Sequence, residues 1–531
     1  MKTLERPAPA GTAGPVGARA VPLSLLVIAV PAVLGVIRLV VSLHRPFLSG
    51  GDAAFMELAV RQALRGRQLL GPYSRFGWNH PGPAVFYLFA PAYRLSASSS
   101  RSLFLSSWLL NTGSAVAVVA VVRHRRGETA ARVVAAVVGV FLLLTTFPVL
   151  INPWNPSLLA LPFLLMIVLA ADAATGSTWS LVGALVAGSY LVQTHVGMLP
   201  VVAISLLAAV AGWTVARRRS GPRPAPTRPG WAVVAAGVVV LGVMWAGPVV
   251  DQLTHQPGNA GKMLAFFRHP PAGLARHHPL PAALAGVSNE ATRPVLGAPA
   301  EGSHPAPGRV AALTAVGLLG IVVAAAARKR APFAAALGAI GAADLVVAVL
   351  ATTRVVGDLE PYLFAWTPAL LVAPVAAAGL AAVDVAERRL ARPLRSAAGR
   401  VTAAAVLVVG LLFGRGAVGH ATVSYADSPD AGPAARLIED NFGHDRQRVF
   451  RIRVIDGQFQ MSSVLLRLAR DGYAFRMTPP YGLYAGSTDR PAPPDSPAVV
   501  VGTAASPVPP GTAPLATVGP FVFWTELPPG A

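Results

Sequence analysis

Apolar stretches close to the ~20 residues that a helix needs to cross a bilayer recur along most of this chain. The first runs from 21 to 43, and later ones fall roughly at 102–122, 132–150, 158–172, 178–193, 196–215, 231–250, 309–327, 331–351, 362–383 and 401–418. They predict an α-helical polytopic membrane protein with about eleven transmembrane helices. Two segments between the first and second runs break the pattern. In GDAAFMELAVRQALR, Glu57, Arg61 and Arg65 repeat every fourth residue, which makes one polar face on an otherwise apolar helix. Residues 81–95 (PGPAVFYLFAPAYRL) are short and punctuated by proline, so they predict an interfacial or re-entrant helix instead of a span. Beyond the membrane domain at 21–418, the pattern shifts to helix-like LIEDNF (437–442), strand-like RVFRIRVI (448–455), amphipathic MSSVLLRLARDG (461–472) and a Pro-rich stretch at 491–514. That mixture predicts a small soluble α/β domain over 419–531. The N-terminal segment 1–20, with its Pro/Gly-rich patch at 7–17, and a second such patch at 220–230 are expected to be flexible and solvated.

Charge sets the topology. The formal net charge is +21, yet only 13% of residues are charged and 54% are hydrophobic. The arginines gather in short clusters between apolar runs: Arg123/Arg125/Arg126, Arg217/Arg218/Arg219, Arg328/Lys329/Arg330 and Arg388/Arg389/Arg392/Arg395. All four face the cytoplasm if the N-terminus is cytoplasmic and 81–95 does not cross. The substantial outer segments are then 44–101, 151–157, 251–308, 352–361 and everything after about 419, so the C-terminal domain is extracytoplasmic. The first run exceeds a signal-peptide core and has no Ala-x-Ala site, which predicts a retained anchor.

Several chemistries are excluded. With no cysteine there is neither a disulfide, a thiolate nucleophile nor a Cys-ligated metal. No phosphate-binding Gly-Lys-Ser/Thr loop, His-Glu-x-x-His or Gly-x-Ser-x-Gly element occurs. The basic clusters lack interleaved aromatics, so nucleic acid is not an expected partner.

The candidate chemistry lies on the outer side. Asp52 follows Gly50-Gly51 and precedes the amphipathic segment, so it is either the N-cap of that helix or a carboxylate held at the membrane surface as a proton acceptor. Arg75, Trp78, Asn79 and His80 lead into Pro81-Gly82-Pro83, which is either an aromatic-belt turn or a functional cluster. Asn152, Trp154 and Asn155 form a tight outer loop, while Gln193 and His195 end a helix on the same side. The loop from Asp251 carries Lys262, Arg268, His269, Arg276, His277 and His278 without a diagnostic metal spacing, and reads as a flexible basic loop. In the last outer loop, Arg354 either holds a lipid phosphate or pairs with Asp358 or Glu360 as a rim salt bridge. Asp344 and Arg38, the main charges inside apolar runs, lie near enough to helix ends to snorkel.

This order of parts resembles the C-type (GT-C) integral-membrane glycosyltransferases, which include protein mannosyltransferases and aminoarabinose and arabinofuranosyl transferases. The likeness rests on the outer-loop Asp, the juxtamembrane helix, the aromatic-His-Pro-x-Pro turn, many spans and a soluble tail. Asp52 matches the family's first-loop catalytic carboxylate, and His80-Pro81 stands where many members carry a polar residue before a Pro pair. The chain has a single Asp52 where many relatives have Asp-Glu or Glu-x-Asp, and Pro81-Gly82-Pro83 replaces the Pro pair. The resemblance implies transfer of a hexose or pentose from a polyprenyl-phosphate carrier to a lipid, glycan or protein acceptor on the extracytoplasmic face. Asp52 and His80 would be catalytic; Arg75, Trp78, Asn79, Asn152, Trp154, Asn155, Gln193, His195, Arg354 and Glu360 would contact substrates. No cofactor is demanded, and a divalent cation, if used, would bind Asp52. The alternatives are a lipid-linked-sugar flippase or transporter, whose ionisable groups would sit deep in the spans, and a non-catalytic envelope scaffold.

Overall fold

The computed structural model describes residues 22–45, 47–219, 229–299, 306–418, 429–442, 449–477, 496 and 498–526. The expected solvated segment 1–20 lies outside them, as do the second Pro/Gly-rich patch up to 228 and the Pro-rich stretch at 491–495 and 497.

In chain order, the helices of the first half are α1 (Leu23–Ser42), α2 (Gly51–Ala63), α3 (Ala84–Leu95), α4 (Arg101–Thr145), the short α5 (Phe147–Leu150), α6 (Ala160–Ala173), α7 (Thr178–Thr194) and α8 (Leu199–Arg219). They continue with α9 (Pro229–Thr254), α10 (Asn259–Arg268), α11 (Leu280–Leu296), α12 (Pro307–Ala327), α13 (Pro332–Thr352), α14 (Ala369–Arg389) and α15 (Arg392–Val418). Among the described residues nine segments are long and apolar enough to cross a membrane, against about eleven apolar runs. The difference lies in α4 and α7. As one rod, the 45 residues of α4 would span roughly 67 Å, more than twice the hydrocarbon core. They are instead two helices joined at Gly127, whose φ of 79° and ψ of −177° suit glycine alone. Asn111 donates to the Leu150 carbonyl at 2.9 Å and the Trp108 ring lies 5.0 Å from Phe147, contacts that require the chain to double back at Gly127. Helix α7, with 17 residues, falls just short of the length required.

The centre of the bundle is α6, α13 and α14, whose apolar side chains are mostly buried. Helices α9 and α15 turn theirs outward, with Val243 and Leu411 at 72% and 73% exposure, as lipid-facing helices do. Asp344 does not snorkel: it is fully buried and accepts both of its hydrogen bonds, at 2.9 and 2.8 Å, from the Ser205 hydroxyl of α8. Helix α13 is one of the most buried helices of the bundle, so the Asp344 carboxylate is held inside it.

The basic clusters share one end of the bundle. Arg126 and Arg388 both pair with Asp384, at 3.3 and 3.0 Å, and Arg388 also donates to the Arg330 carbonyl. Arg125 pairs with Asp172 at 2.6 Å and donates to Thr175, while Trp213, just before Arg217, donates to Thr178.

The opposite end carries the non-spanning elements. Helix α3, with 12 residues, is too short to cross. The segment after Asp251 is not a flexible basic loop: it contains α10 and α11, and it is stitched to the last outer loop. His278 donates its backbone N–H to the Thr353 carbonyl at 3.0 Å, its ring Nε2 lies 2.9 Å from the Gly357 carbonyl, and Gly357 donates to Ala275 at 2.8 Å.

The C-terminal unit has α16 (Ala431–Phe442), β1 (Val449–Val454), α17 (Gln458–Arg470), β2 (Ala474–Met477), β3 (Ala498–Thr503), β4 (Thr512–Val518) and β5 (Phe521–Glu526). Its sheet runs β2-β1-β3-β5-β4, with β1 parallel to β2 and β3, and β5 antiparallel to β3 and β4. Phe450, Ile452 and Val454 alternate inward from β1, the period that made this strand legible. The core of this unit also includes Leu48, Ala54, Phe55 and Leu58, so it is completed by α2 from the first outer segment.

Candidate active site

Helix α2 is gripped on two sides. Met56, Ala59, Val60 and Ala63 join the membrane core, whereas Ala54, Phe55 and Leu58 join the C-terminal core. Its N-cap is Gly50, and Gly51 takes a φ of 55°, the left-handed region that favours glycine. Asp52 therefore lies in the first turn and does not cap the helix, although it still faces the positive end of the helix dipole. Its carboxylate accepts a hydrogen bond from the Tyr73 phenol. Burial raises the Asp52 carboxyl above the ordinary aspartate range, and the Tyr73 bond works in the opposite direction.

Tyr73 comes from a β-hairpin between Gly71 and His80. It is closed by Gly71 N–H on the His80 carbonyl at 3.0 Å, His80 N–H on Pro72 at 2.7 Å and Ser74 N–H on Trp78 at 3.0 Å. Glycine is required at 71, where a Cβ would lie 2.6 Å from the Gln193 and Gly82 carbonyl oxygens. Near the hairpin tip, Arg75 reaches across to the last outer loop, pairing with Glu360 at 3.3 Å and donating to the Asp358 carbonyl at 3.1 Å. The Tyr362 phenol is within electrostatic reach of Arg75, Glu360 and Asp52, and its ring packs on Trp154 at 5.2 Å. Asp52, Tyr73, Arg75, Glu360, Tyr362 and Trp154 thus form one polar cluster drawn from three outer segments.

Other candidates serve elsewhere. Arg354 is exposed, and its guanidinium has no hydrogen-bond or ion-pair partner among the described residues. The rim pair with Glu360 does not form because Arg75 takes that carboxylate. His80 and His195 stack on each other, with centroids 4.5 Å apart, and both are buried. His80 Nδ1 accepts from the Val196 N–H and His195 Nδ1 from the Gly197 N–H, each at 3.2 Å. Burial, and then the neighbouring His195, hold His80 well below the ordinary imidazole value; burial lowers His195 to about 4. Both rings are neutral at physiological pH. Trp78 joins Phe76, Phe266 and Phe267 in an aromatic cluster.

The amides work on backbone. Asn79 donates through its side chain to Gly71, and its main chain exchanges bonds of 2.8 Å with the Asn259 side chain. Asn152 accepts from the Trp154 N–H at 2.9 Å, which turns the chain so that Trp154 reaches Tyr362. Asn155 donates to the Thr194 carbonyl at 3.2 Å, and Gln193, fully buried, accepts the Gly82 N–H at 3.3 Å through its backbone. Tyr73 and Tyr362 were not among the sequence candidates, since tyrosine beside a membrane is expected in any aromatic belt.

The cluster combines a shielded carboxylate, a guanidinium and two phenols at the end of the bundle away from the basic clusters, which suits proton removal from a hydroxyl beside an anionic leaving group. No group of three or more His, Asp or Glu side chains suited to a metal ion occurs among the described residues.

Solved structures share this architecture. ArnT from Cupriavidus metallidurans, bound to undecaprenyl phosphate and in the apo state, superposes with a TM-score of 0.52 in each case, at 14% identity, covering 94% of this chain and 97% of ArnT. No protein-family model and no curated protein matches the chain. The likeness shows that this chain shares the ArnT fold over nearly its whole length.

Proposed function

We propose that the chain is a membrane glycosyltransferase that moves a sugar from a polyprenyl-phosphate carrier to a hydroxyl of a lipid, glycan or protein acceptor on the extracytoplasmic face. The observation that carries this is Asp52, a shielded carboxylate beside Tyr73 in a fold shared with ArnT, one of whose structures holds undecaprenyl phosphate. Asp52 takes the acceptor proton. The acceptor oxygen then forms its bond to the anomeric carbon as the bond from that carbon to the phosphate oxygen breaks, and the electron pair leaves with the lipid phosphate. A carboxyl raised above its ordinary range is a stronger base than free aspartate, which favours the first step.

Arg75 is the guanidinium best suited to the departing phosphate, with Arg354 exposed on the adjoining loop as a second cation. Tyr362 and Trp154 offer the ring faces that sugars pack on. Glu360 orients Arg75, and His80, His195, Asn79, Asn155 and Gln193 hold the segments in place. A divalent cation, if the reaction uses one, would take Asp52 as its protein ligand. The N-terminus is cytoplasmic and the domain after about 419 extracytoplasmic, an orientation supported by the basic clusters at the far end of the bundle. The transporter alternative has one observation behind it, the buried Asp344, but Ser205 is its sole side-chain hydrogen-bond partner among the described residues, with no cation beside it.

The test is transfer from a panel of radiolabelled polyprenyl-phosphate sugars by purified wild-type and Asp52→Asn protein in lipid vesicles, with and without chelator. Label appears in acceptor with the wild type only. Equal transfer by both proteins removes Asp52 from the mechanism, and label that crosses the vesicle wall without changing carrier establishes transport instead.

A further inference from the structure

Glu57 lies one and a half turns beyond Asp52 on α2 and is fully buried. Its carboxylate accepts from the Tyr93 phenol at 2.9 Å and the Ser100 hydroxyl at 2.5 Å, and from Nε and Nη2 of Arg470 at 3.0 and 2.6 Å. Arg470 belongs to the last turn of α17, so the cation that neutralises this carboxylate is supplied by the C-terminal domain. The same guanidinium donates to the Ser98 carbonyl at 2.9 Å and to Ser100 at 2.8 Å. One turn further along α2, Arg61 reaches back to the Ala469 carbonyl at 2.8 Å and to Tyr93 at 3.2 Å. A second contact runs from the domain core to the candidate base: Phe55 belongs to that core, its ring meets Tyr73 edge-on at 5.5 Å, and Tyr73 hydrogen-bonds Asp52.

The apolar contacts on either side of α2 are non-directional and tolerate small rotations of the helix. The Glu57–Arg470 pair is directional, since a forked guanidinium on a desolvated carboxylate holds one geometry. Each residue of slip turns a helix by about 100°, enough to carry Asp52 away from Tyr73. We infer that the C-terminal domain is a positioning element for α2, in which Arg470 clamps Glu57 and thereby fixes the direction of the Asp52 carboxylate; this rests on Asp52 being the base proposed above. On this view the domain acts on the rate of transfer without touching either substrate.

Two measurements on the full-length protein in lipid separate this inference from the reading of Asp52. Hydrogen exchange of the α2 amides needs no catalysis: in Arg470→Ala they exchange faster than in wild type while those of α6 and α13 do not change. In the transfer assay kcat falls roughly 100-fold, as a 1 Å misplacement does, with KM for the donor within about twofold, and Arg470→Lys recovers most of the loss. Because Arg470→Ala leaves a buried carboxylate unpaired, the neutral pair Glu57→Gln/Arg470→Met guards against simple misfolding. It keeps the fold, and the same loosening of α2 and loss of kcat are expected. Wild-type α2 protection in either variant overturns the positioning role, as does wild-type kcat in the neutral pair. Faster α2 exchange together with a wild-type protein that transfers no sugar would leave the clamp standing and remove only the assignment of Asp52.

Discussion

Asp52 with Tyr73 and His80 with His195 are two polar pairs at the same end of the bundle, and Asp52, His80 and His195 stood out in the sequence as candidates for chemistry. The structure separates them. Each imidazole is buried and spends Nδ1 on a backbone N–H, and neither carries charge at physiological pH. Asp52 is only partly buried, its partner is a side chain on a separate hairpin, and a second phenol, Tyr362, lies within electrostatic reach of both Asp52 and the Arg75 guanidinium. On the proposed reading, what distinguishes architecture from chemistry is whether the polar atoms are spent on the protein's own backbone. A group already satisfied by main chain has little left to offer a substrate.

The largest test of this contrast sets Asp52→Asn beside His80→Asn. Asp52→Asn is expected to lower kcat by about 10²–10⁴-fold, the range for loss of a general base, with an unchanged melting temperature. His80→Asn should leave kcat of the folded fraction within about threefold while costing about 1–3 kcal/mol of stability, because the Val196 N–H loses its acceptor in a buried site. Loss of transfer in well-folded His80→Asn protein would put the imidazole back into the chemistry.

The same pairs respond oppositely to acid. An imidazole held below its ordinary value of 6.5 is bound by fewer protons in the folded chain than in the unfolded one. Its contribution is therefore intact above about pH 6.5 and lost as pH falls toward the value of about 4 that burial imposes on His195. Asp52, raised when folded, contributes stability at low pH that is lost as pH rises through its folded value. Melting in nanodiscs should fall between pH 7 and pH 4.5 by the equivalent of a few kcal/mol, and His195→Gln should flatten that slope. A slope unaltered by His195→Gln would mean that the pair is not the acid-sensitive brace.

Much of the scaffold was legible because its signals are local. Apolar runs mark the spans, and the short length and prolines of 81–95 keep it from being one. The GDAAFMELAVR segment announced a helix with a polar stripe. The destination of that stripe was hidden, since Glu57 meets an arginine 413 positions away and so faces a domain interface where the pattern suggested water. The same limit explains the other departures. His80 is bonded 116 positions along the chain, Ser205 and Asp344 meet across 139, and the basic composition after Asp251 obscured α10, α11 and the tie that His278, between them, makes to the loop after α13. Asp52 became a candidate from its place after two glycines and ahead of the amphipathic segment, and then by resemblance, whereas its partner Tyr73 is evident only when the hairpin closes.

A smaller effect is expected from Tyr73→Phe, which keeps the ring on Phe55 and removes the phenol that lowers the Asp52 carboxyl. The acid limb of the kcat/KM profile should then shift to higher pH, with a severalfold change in rate at neutral pH and little change in melting. An acid limb that stays in place would show that Asp52 does not set it.

The smallest effect belongs to Glu360→Gln. The pair with Arg75 is substantially exposed, 32% and 40% for the two side chains, so solvent and salt screen it and its worth to stability is about 0–1 kcal/mol. Arg75 keeps its second hold on the Asp358 carbonyl, which limits its freedom even without the carboxylate. Melting should therefore be nearly unchanged, and donor KM should shift by no more than about fivefold, an effect that fades as ionic strength rises. If Glu360→Gln instead cost more than about 2 kcal/mol, the Arg75 bridge would be a structural tie like the histidine pair. The Asp52 cluster would then lose the openness that sets it apart, since a guanidinium committed to holding two outer segments together is not available to a departing phosphate.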